Sequence, residues 1–387
     1  MSASAEARGP HKRAVLVGAG HAHLHTIRQA AEFVREGFEL VLVAPDAFWY
    51  SGLATGMLGG QYPPELDHVN VGALIERGGG RFVQDHVTAI DVARQRILLA
   101  QGEPLDFDVI SLNLGSGVPA DAISGLAQHA TLVKPIRNLW NLRRTLEEQF
   151  ASSDGKHSLR VVIVGGGPTG CELAANVRQL ADDRRGAVDV TVLAEAERLL
   201  ESIPRRAAER VVRVLERRGV KIQTHSAVER IESGEAILSD GRRVPFDLLV
   251  GAIGLRPSPL VRATGLPCDV EGALIVDEHL RSVASPLVLG GGDCVALRGR
   301  RLAKVGVYAV RQAPILCHNL LATLAGRPLA RFRPQRRFLL ILNLGDGRGL
   351  AIWGPFWWLG RTAFWLKDRI DRRFLASYQD GLPPPPG

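Results

Sequence analysis

One stretch, VVIVGGGPTG at residues 161–170, decides the fold expected of this chain. An apolar run ends at Gly165, and further glycines follow at Gly167 and Gly170. In this pattern the first glycine permits a tight turn, the second lets the backbone approach a pyrophosphate, and the third keeps a helix close to the strand. Free N–H groups and the positive end of that helix would hold the phosphates. The stretch therefore predicts the strand, turn and helix of a dinucleotide-binding domain.

A second and less regular fingerprint lies near the start of the chain, as VLVGAGHAH at residues 15–23. Gly18 and Gly20 take the first two positions, but His23 stands where the third glycine is expected. We expect its ring either to push the helix off the sheet or to point away and leave the turn intact. One fingerprint is a weak signal. Two in one chain predict two bound nucleotides, with electron transfer between them.

Neither unit has an acidic residue at the usual end of its second strand, where a carboxylate would bind the adenosine ribose. Asp46 lies two places beyond the expected position at the end of the second strand in the first unit. Glu195 lies one place beyond it in the second unit. Glu195 favours NADH weakly, because a carboxylate repels a 2′-phosphate. Arg198 leaves NADPH open.

Composition sets further bounds on the protein. At 387 residues the chain can bury two cores of ordinary size. No segment approaches the ~18 uninterrupted apolar residues of a membrane span. Residues 1–10 are expected to be disordered and lack the apolar core of a secretory signal. The cysteines are far apart, which disfavours disulfides and structural zinc and fits a cytoplasmic location: Cys171, Cys268, Cys294 and Cys317.

The net charge of +8 is compatible with nucleic acid or an anionic membrane as a partner. No zinc finger, homeodomain or RNA-binding aromatic motif is visible, so we expect no nucleic-acid partner. His21, His23 and His25 invite a metal site, but inside a phosphate turn they more naturally serve the nucleotide or pack locally. We therefore predict no bound metal.

The chain also carries an approximate internal repeat. Residues 246–254 (FDLLVGAIG) parallel residues 107–115 (FDVISLNLG), and this supports duplicated domains. A third apolar run, LVLGGGD at residues 287–293, ends in glycines and a carboxylate. Residues 49–62 are expected to be irregular, and residues 152–156 to form a linker. Helices are predicted at residues 22–36, 135–150, 205–218 and roughly 303–325, and a further helix follows strand 160–164 and runs through about residue 183.

The C-terminal region changes character, since four of the six tryptophans are Trp353, Trp357, Trp358 and Trp365. A helix is predicted over residues 361–375, followed by an unstructured proline-rich tail at 381–387. One apolar flank is expected on this helix, surrounded by basic residues: Phe364, Trp365, Leu366, Ile370 and Phe374. Such a helix suits a membrane interface. The alternative is packing against the body of the protein or against a second subunit in a homodimer.

The order of these motifs resembles that of the two-dinucleotide-binding-domain flavoproteins, the pyridine nucleotide-disulfide oxidoreductase-like proteins. Within them, residues 339–347 (LLILNLGDG) and 366–374 (LKDRIDRRF) look like the C-terminal region of type II NADH dehydrogenases. Residues 20–23 (GHAH) and 50–52 (YSG) resemble a branch often found fused or adjacent to selenophosphate synthase. The resemblance covers about residues 13–378.

The resemblance implies an α/β fold of two Rossmann-like domains, the FAD domain interrupted by the NAD(P) domain, with a small C-terminal α+β region. The expected boundaries are residues 11–118 and 274–330 for the FAD domain and 119–273 for the NAD(P)H domain. Residues 331–380 would form the membrane-interface or dimerisation region.

The resemblance also implies which residues hold each cofactor. The FAD set is Gly18, Gly20, His21, Ala22, Tyr50, Ser51, Val87, Gly115, Lys134, Gly292 and Asp293. The NAD(P)H set is Gly165, Gly167, Pro168, Thr169, Gly170, Glu172, Glu195 and Gly254. Glu172 matches a carboxylate beside nicotinamide and flavin, Gln312 a glutamine near the quinone pocket, and Lys134 a residue that approaches the flavin; these three form the expected catalytic set.

The function expected is an FAD-dependent NAD(P)H dehydrogenase that passes electrons to a quinone, at the inner face of the cell membrane. The redox-active cysteine pair of disulfide reductases is absent, and the cysteines do not match sulfide:quinone reductases. Two alternatives stay open. One is a soluble flavin reductase of a selenium or sulfur species or of an electron-carrier protein, and the other is a non-enzymatic flavin redox sensor. Apart from the resemblance, Glu172 is an ordinary first-turn carboxylate favoured by the helix dipole.

Overall fold

The structure is a computed structural model that describes residues 12–152 and 157–383. The expectations of a disordered N-terminus, and most of those for the linker and the proline-rich tail, lie outside the described residues.

The strands of the described residues follow the two predicted units and then a C-terminal group. In chain order they are β1 (Arg13–Val17), β2 (Glu39–Ala44), β3 (Phe48–Trp49), β4 (His68–Val69), β5 (Arg81–Gln84), β6 (Val87–Asp91), β7 (Arg96–Leu99), β8 (Leu105–Asp106), β9 (Val109–Leu112), β10 (Ser116–Gly117), β11 (Thr131–Leu132), β12 (Leu159–Val164), β13 (Val188–Leu193), β14 (Lys221–Gln223), β15 (Val228–Glu232), β16 (Glu235–Leu238), β17 (Arg243–Pro245), β18 (Leu248–Gly251), β19 (Arg256–Pro257), β20 (Leu274–Val276), β21 (Val288–Gly290), β22 (Val295–Leu297), β23 (Leu339–Asn343), β24 (Gly349–Trp353) and β25 (Phe356–Gly360).

The helices of the same residues alternate with these strands. They are α1 (His21–Arg28), α2 (Ala30–Arg35), α3 (Ala54–Leu58), α4 (Val71–Arg77), α5 (Leu126–His129), α6 (Arg137–Ser152), α7 (Pro168–Arg184), α8 (Arg205–Arg217), α9 (Pro259–Ala263), α10 (Gly306–Ala325) and α11 (Arg361–Gln379).

Two parallel five-stranded sheets organise the molecule. The first has the order β21-β9-β1-β2-β5, and the second has the order β11-β18-β12-β13-β14. All neighbours within each of these sheets run parallel. The central strands are mostly apolar and buried, as expected where helices cover both faces of a sheet. The predicted α/β class with two Rossmann-like sheets is confirmed.

The repeat is visible in the topology. A three-stranded antiparallel sheet, β6-β7-β8, precedes the last strand of the first unit, and β15-β16-β17 takes the same place in the second. Strand β21, made after the second unit, returns to the first sheet and pairs with β9, with Val288 opposite Ile110.

Several element predictions need correction. The helix expected over residues 22–36 is divided at Gln29 into α1 and α2. The segment expected to be irregular, residues 49–62, contains α3, which is short but buried along its whole length because five small or apolar residues form it. Helix α6 begins at Arg137, two residues after the predicted start, and α10 begins at Gly306, three residues after its predicted start.

The C-terminal region forms the antiparallel sheet β23-β24-β25, followed by α11. The prediction of one apolar flank on α11 is wrong. Trp365 and Ile370 are exposed, whereas Phe364 and Phe374 pack against the core. The face turned inward instead carries two charges, and its buried residues are Ala363, Lys367, Asp371, Leu375 and Tyr378. None of the helices in the described part of the chain is long and apolar enough to cross a membrane.

Candidate active site

A cavity of about 1350 Å³ opens at the carboxyl ends of β1 and β2, where the first fingerprint turns from strand to helix. Parallel α/β sheets bind ligands at this edge. Many of the predicted FAD residues line the cavity: Gly18, Gly20, His21, Ser51, Val87, Gly115 and Lys134. The cavity therefore has the volume to receive a dinucleotide, and seven of the residues predicted to bind FAD line it.

The turn itself requires glycine. Gly18 has φ +86°, and a Cβ there would lie 2.6 Å from the backbone oxygen of Asn113. An L side chain is disfavoured by both the backbone conformation and the lack of room. The backbone N–H of Gly18 bonds to Val43 O at 2.9 Å, which ties the turn to β2. This close-packed, side-chain-free turn is the cradle that a pyrophosphate needs.

Asn113, which sequence reasoning missed, fastens three segments of this cradle. Its Oδ1 accepts from Ala22 N at 3.0 Å, and its Nδ2 donates to Gly291 O at 2.7 Å. The N–H of Ala22 is thus already occupied, so Ala22 can serve FAD by position but not by donating that hydrogen bond. The available signal was an amide residue directly after a buried, mostly apolar strand and before a glycine-rich turn.

The ring of His23 settles how the irregular third position is accommodated. His23 Nδ1 donates to Gly18 O at 2.6 Å, and Nε2 accepts from Ser111 Oγ at 2.8 Å. Burial lowers the pKa of His23 to about 4, so the ring is neutral. It neither displaces the helix nor faces the turn's ligand side. Through these two hydrogen bonds, the ring connects the backbone of Gly18 to Ser111 of β9.

Three polar groups meet at the end of β21. Asp293 Oδ2 accepts from Ser116 Oγ at 2.7 Å and from Lys134 Nζ at 3.4 Å, and Lys134 also donates to Ser116 Oγ at 3.1 Å. The structure thus brings together the predicted Lys134 and Asp293. Gln312 lies beneath the same turn, where its Oε1 accepts from Gly292 N at 2.7 Å. Its predicted place near a quinone stays a prediction, since its visible contact is to this turn.

Three aromatic rings surround His21, the first residue of α1 directly after the first turn. The ring centroid of His21 lies 4.8 Å from Phe48, 5.4 Å from Tyr50 and 6.1 Å from Phe374. Desolvation lowers the pKa of His21 to about 4, against the opposing effect of Asp293. A neutral ring beside the cavity can contact a flavin without adding charge.

The second fingerprint also forms its predicted turn. Gly165 has φ +128°, and its N–H bonds to Leu193 O at 2.8 Å. Gly167 precedes α7, and a Cβ there would meet nothing within 4 Å, so the space beside it is open. A Cβ on Gly170 would instead clash with Gly165 O, which shows that the third glycine brings helix and strand into contact. Pro168 and Thr169 open α7, where helix N–H groups are free to bind phosphate.

Glu172 lies in the first turns of α7 and faces the C-terminal region. Its Oε1 accepts from Asn343 N at 2.6 Å, in β23. Burial raises the pKa of Glu172 to about 7, while Lys367 and the Asn343 hydrogen bond oppose that rise. A carboxyl that titrates near neutral pH can hold or release a proton during turnover.

The residues expected near the two riboses differ in their surroundings. Asp46 lines the cavity and pairs with Arg137 at 3.2 Å. Glu195 is exposed just past β13. Arg198, which could have bound a 2′-phosphate, donates instead to the carbonyls of Leu199, Leu200, Glu201 and Ile203. Gly254 lies past β18 in open space, with nothing within 4 Å of a Cβ built on it.

A buried charged cluster behind Tyr50 was also missed from the sequence. The Tyr50 hydroxyl donates to Asp371 Oδ1 at 2.8 Å, and Asp371 forms a salt bridge with Lys367. Lys367 also donates to Gly52 O. The sequence offered no signal, because LKDRIDRR reads as an exposed charged helix and its partners lie more than 300 residues away.

Comparison with known proteins agrees with this architecture. The sequence model of the pyridine nucleotide-disulphide oxidoreductase family matches residues 12–313. Demethylphylloquinone reductase NdbB of Synechocystis is 25% identical over 379 residues, covering 92% of this chain and 91% of that protein.

Solved structures share the fold across almost the whole chain. NDH2 from Plasmodium falciparum in complex with NADH has a TM-score of 0.78 at 14% identity and covers 97% of this chain and 99% of that one. The sulfide:quinone oxidoreductase of Aquifex aeolicus has a TM-score of 0.79 at 15% identity, with 96% and 92% covered.

The family match spans both glycine-rich turns, and the structure places the first of them on a cavity of dinucleotide size. The chain belongs to the pyridine nucleotide-disulphide oxidoreductase family and is an oxidoreductase that uses FAD and NAD(P)H.

Proposed function

We propose that this protein is a type II NADH dehydrogenase that oxidises NADH and reduces a quinone. The observation that carries the proposal is Glu172: a carboxyl on the nucleotide-binding helix α7, held by β23 of the C-terminal sheet and titrating near pH 7. Quinone reduction consumes protons, and a group with this pKa can supply them at neutral pH. The 25% identity with a demethylphylloquinone reductase over nearly the full length supports the same acceptor class.

Each part of the site has a defined task under this proposal. When bound, FAD supplies the two-electron chemistry, accepting hydride equivalents from nicotinamide and passing electrons onward. The Gly18 turn holds its pyrophosphate, and Asp46 lies where a carboxylate can bond the adenosine ribose. Asp293, oriented by Ser116 and Lys134, is available to the ribityl chain.

The nucleotide substrate binds the second turn. The Gly167 edge is open and the α7 N-terminus supplies N–H groups to its pyrophosphate. Glu195 lies close to the expected ribose and repels a 2′-phosphate, and Arg198 is occupied by backbone carbonyls. These two facts favour NADH over NADPH.

Under this proposal the Glu172 carboxyl lies where the two cofactors meet, and its protonation state sets the charge there. Hydrogen bonds from the Asn343 backbone and the Thr55 side chain orient this carboxyl group, which can exchange a proton with the acceptor or with an ordered water. Burial keeps part of the Glu172 population protonated at neutral pH, which is the state that a proton donor requires.

The membrane contact proposed for the C-terminal region rests on exposed aromatic side chains. Phe356, Trp358 and Trp365 are 63%, 39% and 61% exposed, and all lie on β25 or α11. Guanidinium groups lie over neighbouring rings: Arg369 is 5.8 Å from the Trp365 centroid and Arg337 is 5.9 Å from the Trp353 centroid. Indole rings with basic neighbours suit the headgroup layer of a membrane. Peripheral binding would bring the protein to its lipid-soluble acceptor.

An acceptor screen tests the dehydrogenase assignment. The FAD-loaded protein is mixed anaerobically with NADH or NADPH, and its reoxidation is followed with a water-soluble quinone, a sulfur or selenium acceptor, or a small iron–sulfur carrier protein. Bleaching by NADH and fast reoxidation by quinone are expected. Fast reoxidation by another acceptor and not by quinone would refute the assignment. Bleaching without turnover on any acceptor would indicate a redox sensor.

Vesicle flotation tests the membrane contact separately. We expect the fraction of the triple variant F356S/W358S/W365S that floats with anionic phospholipid vesicles to be at least tenfold lower than the fraction of the unmodified chain. The control is Val270→Ser, because Val270 is 94% exposed but lies outside the C-terminal region. Equal flotation of all three proteins would remove the membrane proposal while leaving the dehydrogenase assignment in place.

A further inference from the structure

Asp67 is a fully buried carboxyl whose charge has no direct partner. Its side chain is 0% exposed, and no described group lies within hydrogen-bonding distance of either oxygen. A buried ionised carboxylate without hydrogen bonds is strongly disfavoured, so such a group keeps its proton. Burial accordingly raises the pKa of Asp67 well above its usual range, with Lys367 opposing and Asp371 adding to the rise.

The position of Asp67 links it to the flavin site. Its backbone oxygen accepts from Tyr50 N at 2.8 Å, which joins it to the residue whose ring lies 5.4 Å from that of His21. The Tyr50 hydroxyl continues to Asp371, which is paired with Lys367. The backbone of Asp67 is therefore joined through Tyr50 to the Asp371–Lys367 salt bridge, and both of these charged groups also act on the Asp67 carboxyl.

The charge balance of this cluster is uneven. Asp67, Asp371 and Glu172 are three carboxyls, and Lys367 is the cation that acts on both Asp67 and Glu172 among the described residues. The salt bridge assigns Lys367 to Asp371. Asp67 and Asp371 are buried, and Glu172 is partly so. One ammonium cannot neutralise three such carboxylates, so the remaining two must hold protons for part of the time.

The groups around Asp67 come from α11, from the segment after β3 and from the next residue in the chain. Lys367 and Asp371 approach from α11. Tyr50 lies on the neighbouring segment after β3. His68, next in the chain, is committed elsewhere: its Nδ1 donates to Pro64 O at 2.6 Å and its ring stacks on Trp49 at 4.7 Å. Among the described residues, Lys367 and Asp371 are the charged groups that act on the pKa of Asp67.

We propose that Asp67 stores the proton that completes quinone reduction and passes it toward the acceptor by way of the Tyr50, Asp371 and Lys367 cluster. This inference rests on the proposed function, since it needs an acceptor that takes up protons. It assigns Asp67 a role as an internal proton donor that does not touch the substrate.

The proton balance requires one such donor per turnover. A quinone gains two electrons and two protons to become a hydroquinone. NADH supplies both electrons and one proton in the form of hydride. The second proton comes from the solvent through the protein: Glu172 gives a proton to the acceptor, the Asp67 O–H bond breaks and its proton replaces the one lost from Glu172, and the Asp67 carboxylate is reprotonated from solvent before the next turnover.

The test compares acceptors that differ in their need for protons. In the FAD-loaded Asp67→Asn variant, reoxidation by quinone should slow at least tenfold and show a larger solvent deuterium isotope effect than in the unmodified protein, because proton delivery becomes the slow step. Reoxidation by ferricyanide, which takes up electrons without protons, should be unchanged. The matched control is Glu65→Gln, an exposed carboxyl two residues away on the same segment, which should behave as the unmodified protein.

Infrared spectroscopy supplies a readout that needs no turnover. A protonated-carboxyl band should be present at neutral pH in the Glu172→Gln protein and absent when Asp67→Asn is added. Its absence from the Glu172→Gln protein overturns proton storage, even where the asparagine variant does not fold. Quinone turnover at an unchanged rate in Asp67→Asn overturns the delivery step alone. Failure of the unmodified protein to reduce any quinone overturns the proposed function, while the band still decides whether Asp67 stores a proton.

Discussion

The Tyr50 hydroxyl donates a 2.8 Å hydrogen bond to Asp371, a residue 321 positions further along the chain. Tyr50 belongs to the segment predicted to approach the flavin, and Asp371 lies on the last helix, α11. Trp49 and Ser51, on either side of Tyr50, line the nucleotide cavity, so the bond joins a segment of the cavity wall to the C-terminal region. Both Lys367 and Asp371 are nearly inaccessible, with side-chain exposures of 10% and 9%, so their salt bridge is a buried one.

Breaking that salt bridge should destabilise the fold. Asp371→Asn leaves the Lys367 charge uncompensated, and we expect it to lower the free energy of unfolding by about 3–5 kcal/mol. Tyr50→Phe removes one hydrogen bond and should cost about 1 kcal/mol. Denaturant unfolding measures both. The control, Glu209→Gln, breaks an exposed pair with Arg205 and should cost less than about 1 kcal/mol. Similar values for Asp371→Asn and Glu209→Gln would contradict the buried pair.

Glu172 should make stability depend on pH. Its pKa is raised from 4.5 to about 7 in the folded protein, so the folded state binds the proton more tightly than the unfolded state does. The stabilising contribution is therefore complete at low pH and is lost as the pH rises through about 7. Glu172→Gln lacks this loss. Its free energy of unfolding relative to the unmodified protein should rise by up to about 3 kcal/mol between about pH 4.5 and pH 8. A difference that is constant with pH would show that Glu172 is not perturbed.

Substitutions of the second and third glycines of the NAD(P)H fingerprint should have different effects: one should weaken nucleotide binding, and the other should lower stability. Gly170→Ala places a methyl group against Gly165 O and should lower the free energy of unfolding by about 1–3 kcal/mol. Gly167→Ala meets open space, so stability should hold, but the methyl group blocks the approach of the pyrophosphate. NADH affinity, measured by titration, should fall about tenfold or more in this variant. Unchanged affinity in Gly167→Ala would place the nucleotide elsewhere.

Coenzyme choice should depend on Glu195 and not on Arg198. Glu195→Gln removes the repulsion of a 2′-phosphate. The ratio of kcat/KM for NADH to kcat/KM for NADPH should therefore fall about tenfold. Arg198→Ala should instead destabilise the loop whose carbonyls it binds, including Leu200 with its φ of +57°, and affect both coenzymes alike. A selective loss of NADPH activity in Arg198→Ala would reverse these roles.

The fold was predictable because its determinants are local. Two apolar runs ending in glycine-rich turns specify strand, turn and helix within a few residues, and the parallel sheets follow from repeating that unit. The position of β21 in the first sheet agrees with the motif ending in Asp293. The exact domain boundaries stay a prediction, as do the individual cofactor residues, because they depend on ligands.

The contacts that sequence reasoning missed join residues far apart in the chain. Asn113 bonds to Gly291 across 178 positions, and Lys367 bonds to Gly52 across 315. Periodicity assigned Trp365 and Ile370 to the same face as Phe374, but the buried face of α11 is centred on Lys367 and Asp371. Hydropathy cannot predict a buried ion pair, because the partners that offset its desolvation are not neighbours in sequence.

The pairing of β21 with β9 has a consequence for biosynthesis. The N-terminal sheet is translated early, yet its edge strand β21 leaves the ribosome only after the whole second unit has been made, and α11 later still. The second sheet is built from one uninterrupted segment and can fold first. Until β21 is made, β9 has an unpaired edge, so the nascent first unit is the part of the chain more exposed to wrong strand pairing during synthesis.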